Sequence, residues 1–155
     1  MFSEEITQEV DAIVTRYPEA KSALLPLLHL IQREKGWVSP EGMKWAAERL
    51  DLSPAHVEGV VTFYSMYFTK PVGRNVIQLC RTLSCDIRGA QSIRKMIQDK
   101  LGIAPGETSS DEKFSLIEVE CIGACGTAPA MMIGDSLHEN LTPELVGALL
   151  DKVED

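Results

Sequence analysis

The residues best placed to do chemistry are four cysteines, which fall into two close pairs. They read Cys80-x4-Cys85 and Cys121-x3-Cys125, with 35 residues between the pairs. Paired thiolates from two chain segments suit a metal centre that draws ligands from both. A 2Fe-2S cluster wants two thiolates on each of two irons, and main-chain N–H donors close to its sulfurs. The second pair lies in Cys121-Ile122-Gly123-Ala124-Cys125-Gly126-Thr127-Ala128-Pro129-Ala130, a run of mostly small residues through which backbone can approach a ligand. Glycines there also serve as plain turn residues. On spacing alone three other readings stay open. Structural zinc also takes two cysteine pairs. A redox dithiol would suit the fold order below, although neither pair has the two-residue spacing of such sites. Disulfides would close short loops for about 2 kcal/mol each, and a reducing compartment disfavours them. A Rieske centre needs two histidines among its ligands. None of His29, His56 and His138 lies in a cysteine loop, and they read as packing or capping residues.

Each pair starts where a strand ends. Val76-Ile77-Gln78-Leu79 reads as a buried strand running into Cys80, and Phe114, Leu116, Ile117 and Val119 make a second one running into Cys121. Between them Ala90, Ile93, Met96, Ile97 and Leu101 give an amphipathic helix that closes at Gly102. Strand, helix, strand at this length implies parallel pairing, which brings both cysteine loops to one edge of the sheet. Ala130–Ile133 and Ser136–His138 flank Gly134-Asp135 as a hairpin. A last helix spans 143–153.

The first half carries no strand signal. Ser39-Pro40 and Ser53-Pro54, like Thr142-Pro143 later, pair a hydroxyl N-cap with proline at the first helical position. They predict helices over 40–50 and 54–66. Two earlier helices follow from Ile6, Val10, Ile13, Val14 and Tyr17, and from Leu24, Leu27, Leu28 and Ile31. Pro26 falls in the first turns of the second or kinks it. Lys70-Pro71-Val72-Gly73 reads as a linker. Phe63, Tyr64, Tyr67 and Phe68 cluster in one window. Phe63 reads as packing, while Tyr67 and Phe68 suit packing or a partner interface equally.

The formal charge of −8 and the lack of any Lys/Arg cluster exclude a nucleic-acid binder. The acidic start, Met1-Phe2-Ser3-Glu4-Glu5, is unlike a signal peptide. The longest apolar stretch, Ala23 to Ile31, is far short of the about 20 residues a membrane span needs. No Gly-rich dinucleotide loop is present, so neither NADH nor FMN is expected on this chain.

The segment Cys80-Arg81-Thr82-Leu83-Ser84-Cys85, then Gly89-Ala90, Cys121-Ile122-Gly123-Ala124-Cys125 and Ala128-Pro129-Ala130, closely resembles one iron–sulfur family. It is the family of thioredoxin-like 2Fe-2S subunits of NADH-quinone oxidoreductase, the bacterial respiratory complex I. Gln32, Gly36-Trp37-Val38 and Val57-Glu58-Gly59-Val60-x-x-Phe63-Tyr64 match as well, while Gly134-Asp135 is less typical. The resemblance implies an α+β or α/β protein: a helical bundle over residues 1–70, then a thioredoxin-like 2Fe-2S ferredoxin domain, β-α-β-β-β-α, over 71–155. It implies one 2Fe-2S cluster with Cys80, Cys85, Cys121 and Cys125 as its ligands, and no catalytic residue. It further implies a partner flavoprotein that binds FMN and NADH, beside the rest of the peripheral arm of the complex. The chain is then an electron carrier in an oxidoreductase, without a substrate site of its own. Its expected location is cytoplasmic, held at the inner membrane through its complex without inserting. Related subunits of NAD-reducing hydrogenases and NAD-dependent formate dehydrogenases share the signature.

Overall fold

The structure is a computed structural model that describes residues 2–153. It divides into two compact units, residues 1–71 and 72–155.

The first unit is helical. Helix α1 (Glu4–Val14) opens at Ser3, whose Oγ accepts the Ile6 N–H at 3.3 Å, and Glu4 and Glu5 set negative charge at its positive end. It stops at Val14, so Tyr17 lies beyond the helix its spacing suggested and is exposed. After one 3₁₀ turn, α2 (Leu24–Lys35) carries Pro26 in its first turn, where an N–H has no partner inside the helix anyway. Leu27, Leu28 and Ile31 are fully buried, and each such side chain stabilises the core by about 1.5–3 kcal/mol. Helices α3 (Pro40–Leu50) and α4 (Pro54–Phe63) start at the two Ser-Pro signals.

Helix α4 ends three residues short of the expected 66. Tyr64 turns extended, with φ −92° and ψ 112°. The Gln32 amide then holds the chain that follows, donating to the Met66 carbonyl at 2.9 Å and accepting the Phe68 N–H at 2.8 Å. Tyr67 points inward, and its hydroxyl donates to the Leu25 carbonyl at 2.9 Å. Tyr67 is therefore core, at 5% exposure, while Phe63 is 79% exposed. This reverses the expectation that Phe63 packs, and it removes Tyr67 as an interface residue. His29 is exposed rather than packed in the core, with its ring 5.1 Å from that of Tyr67.

The second unit is a four-stranded sheet with helices. Its strands are β1 (Asn75–Cys80), β2 (Phe114–Val119), β3 (Met131–Ile133) and β4 (Ser136–His138), in spatial order β2-β1-β3-β4. β1 and β2 run parallel, from Asn75 opposite Phe114 to Cys80 opposite Val119, and the other two pairings are antiparallel. Between β1 and β2 lie the short α5 (Leu83–Ile87) and α6 (Ala90–Leu101), and α7 (Pro143–Lys152) closes the chain. Ile77, Leu79, Leu116 and Met131 of the sheet meet Ile93 and Ile97 of α6 and Val146 and Leu150 of α7 in one core. Helix α5 was not expected from the sequence, since five residues are too few for a helical period to register.

Two backbone features secure β2. The Gly73 N–H donates to the buried Ser115 Oγ at 2.7 Å, and a Cβ on Gly73 would stand 2.7 Å from the Phe114 carbonyl carbon. Gly73 is thus part of the sheet's packing rather than a free linker residue. The chain ahead of β2 also folds back along its outer edge. Gly106 N–H donates to Leu116 O at 2.7 Å, Leu116 N–H to Glu107 O at 3.1 Å, and Ser109 N–H to Phe114 O at 2.8 Å.

Candidate functional site

Cys80 is the last residue of β1, and its partner across the parallel ladder, Val119, ends β2. Both chains therefore leave the sheet at the same edge, where ligand loops of α/β sheets converge. The first loop turns at once into α5, which places Cys85 inward and leaves Leu83 and Ile87, one turn apart, 75% and 74% exposed. The second loop runs from Glu120 to Ala130 and includes a 3₁₀ turn at Cys125–Thr127. Gly123 sits at φ 79° with open space around it, a conformation that favours glycine.

Several bonds tie the two loops together. Arg88, just after α5, donates from Nε to the buried Ala128 carbonyl at 2.8 Å. Arg81 pairs with Glu120, joining the residues that follow β1 and β2. Cys80 N–H donates to Ala130 O at 3.2 Å, and Arg81 N–H to Val119 O at 3.0 Å. Cys80, Cys85, Ala90 and Ala128 form a small buried cluster with Ile122 against it. Arg88 and the Arg81–Glu120 pair were not expected from the sequence, because no local pattern marks a partner some forty residues away.

The four thiols are unequal. Cys80 and Cys85 are buried, whereas Cys121 and Cys125 are exposed, and all four are free. Burial raises the Cys80 thiol, but hydrogen bonds from Thr82, from the Cys85 thiol and from the Ile122 N–H outweigh it and hold Cys80 below the usual range. Burial pushes the Cys85 thiol up, helped by its bond to Cys80 and by the nearby Cys125, and opposed by the Ala130 N–H. Gly123 N–H donates to Cys121 Sγ at 3.4 Å. Among the described residues no three His, Cys, Asp or Glu side chains stand close enough to hold a bare ion. The structure thus brings Cys80 and Cys85 into contact and sets Cys125 near Cys85. Cys121 lies on the same loop, beside the Ile122 that touches Cys80.

Known proteins resemble this chain in sequence or in fold. The E-type subunit of the NADH-quinone oxidoreductase of Rickettsia bellii is 44% identical over 91% of this chain and 86% of its own length. The mitochondrial NADH dehydrogenase flavoprotein 2 of Dictyostelium discoideum is 40% identical over 99% of this chain, which spans 63% of that protein. An NAD⁺-reducing NiFe hydrogenase in its air-oxidised state superposes with a TM-score of 0.72 over 84% of this chain and 22% of that one, at 21% identity, a likeness of fold. Residues 10–154 match the thioredoxin-like 2Fe-2S ferredoxin family, and the chain belongs to it.

Proposed function

We propose that this chain is the electron-carrying subunit of an NADH:quinone oxidoreductase, with one 2Fe-2S cluster on Cys80, Cys85, Cys121 and Cys125. The observation that carries this reading is the arrival of two thiol pairs at the shared carboxyl edge of parallel β1 and β2. The donor chemistry fits such a cluster. Four thiols meet the ligand count, and main-chain N–H groups of Ile122, Gly123 and Ala130 already point at three of the sulfurs. When bound, the cluster supplies a one-electron store that changes charge without making or breaking a covalent bond. The chain's own part is to ionise and orient the thiols, to donate N–H bonds to sulfur, and to wall the inner pair from water with Ala90, Ala128 and Ile122. The oxidoreductase context rests on 44% identity to the Rickettsia bellii protein over most of both chains.

In this reading residues 1–70 and 71–155 act as a helical domain and a cluster domain. The partner is a flavoprotein that binds FMN and NADH, and this chain has no substrate site of its own. Leu83 and Ile87, apolar and open beside the buried Cys85, support docking of that partner over α5. A peripheral place on the cytoplasmic side, reached through the complex, follows from the same reading. No helix among the described residues is long and apolar enough to cross a membrane. The test is the visible and EPR spectrum of anaerobically purified protein. A reddish-brown protein whose reduced EPR signal is lost or altered in each single Cys→Ala variant meets the proposal. A colourless protein that binds zinc refutes it, and a variant with an unchanged spectrum strikes that cysteine from the ligands.

A further inference from the structure

Hydroxyl residues at helix starts in this chain follow one rule, with one exception. Ser3, Ser39, Ser53 and Thr142 each accept a backbone N–H of their own helix, from Ile6, Gly42, His56 and Leu145, at 3.1–3.3 Å. This is the usual work of an N-cap side chain. Thr82 holds the same position before α5, with the same extended backbone (φ −78°, ψ 168°), yet its side chain makes no cap bond. Its Oγ1 lies 3.2 Å from Cys80 Sγ instead. A thiolate has no proton to give, so towards ionised Cys80 the hydroxyl is the donor. The N–H groups of Thr82 and Ile122 aim at the same sulfur. The Cys85 thiol and, at 3.7 Å, the Glu120 carbonyl oxygen are its other polar neighbours.

We propose that Thr82 is a positioning residue that raises the reduction potential of the cluster by donating its hydroxyl hydrogen to the Cys80 sulfur. The inference rests on the cluster reading above. One electron enters from an external one-electron donor, no bond forms or breaks, and Thr82 keeps its proton. The added negative charge spreads in part onto the ligand sulfurs, so a donor there stabilises the reduced state more than the oxidised one. Withdrawing it moves the one-electron equilibrium on the order of tenfold towards the oxidised state, which is about 59 mV.

The experiment is a redox titration of the whole loaded protein with dithionite, followed by visible absorbance and EPR, with iron and sulfide counted. Thr82→Val removes the hydroxyl and keeps the branched shape, while Thr82→Ser keeps the hydroxyl and loses the methyl. The expected result is full iron content in both, a potential lowered by about 59 mV in the valine variant, and a wild-type potential in the serine variant. Should valine load poorly, Thr82→Ala carries the same expectation. A loaded valine or alanine variant at the wild-type potential overturns the proposal, as does an equal shift in valine and serine. A colourless wild-type protein overturns the cluster reading and this inference with it, a result distinct from a coloured protein whose potential does not move.

Discussion

Gly73 offers a sharp test of how closely the chain packs where it enters the sheet. In Gly73→Ala the new methyl stands 2.7 Å from the Phe114 carbonyl carbon, 2.9 Å from its nitrogen and 3.0 Å from its oxygen. All three are backbone atoms, so no flexible side chain can yield. Ordinary carbon contacts begin near about 3.5 Å, and the chains must part by up to about 0.8 Å. Overpacking of this kind costs about 1–3 kcal/mol. The same parting stretches the 2.7 Å bond from Gly73 N–H to buried Ser115, which adds about 1–3 kcal/mol if it breaks. Alanine recovers about 0.4–1 kcal/mol by restricting the unfolded chain. The net expectation is a loss of about 2–4 kcal/mol. Gly147, inside α7 with nothing within 4 Å of its added Cβ, is the control. Gly147→Ala gains about 0.5–1 kcal/mol. Both tryptophans and all three tyrosines precede residue 68, so fluorescence is blind here. Urea titration read by hydrogen exchange on peptides spanning 75–80 and 114–119 is the suitable assay. A Gly73→Ala protein as stable as wild type refutes the argument.

Tyr67→Phe loses about 1 kcal/mol for the bond to Leu25, and Tyr67→Ala about 3–5 kcal/mol, in urea unfolding read by tryptophan fluorescence. Phe63→Ala is close to neutral in the same assay. Burial pushes the Tyr67 phenol up to about 12, with the Tyr64 charge second. The native state therefore keeps a proton that the unfolded chain releases above about pH 10, and stability falls from there towards about pH 12. Tyr67→Phe should flatten that slope in alkaline denaturation. In reduced, metal-free protein, iodoacetamide labels the exposed Cys121 and Cys125 before the buried Cys80 and Cys85, and peptide mass spectrometry gives the order. Iron removal is expected to loosen residues 75–140 and leave residues 1–68 protected in hydrogen exchange, because little apolar bulk holds the cysteine loops. Uniform loss over both regions would contradict that.

The elements legible in the sequence are those whose signals are local. Ser39-Pro40, Ser53-Pro54 and Thr142-Pro143 each begin a helix where the hydroxyl and the proline say so. The apolar strands before Cys80 and Cys121 stand where alternation and bulk place them. What escaped depends on partners distant in the chain. The end of α4 is set by Gln32 and by the Leu25 carbonyl, which draw residues 66–68 out of the helix. Gly73 looked like a linker glycine because only Phe114, forty-one residues on, makes its missing side chain a requirement. At the site, the pairing of the thiols was readable from spacing, but their division into a buried and an exposed pair was not. That division arises from α5 and from the grip of Arg88 on Ala128.

The folded-back segment at residues 106–109 has a consequence for assembly. A sheet edge with free N–H and C=O groups is a rail on which another chain can add a strand. Here the rail along β2 is taken by the protein's own backbone at Gly106, Glu107 and Ser109. The opposite edge, β4, is three residues long and offers too few rungs to grip an added strand. Recruitment of a neighbouring protein to this unit is thereby left to side chains. Its specificity can drift by point substitution without disturbing the hydrogen-bonded ladder, which would let one scaffold be refitted to different partner subunits.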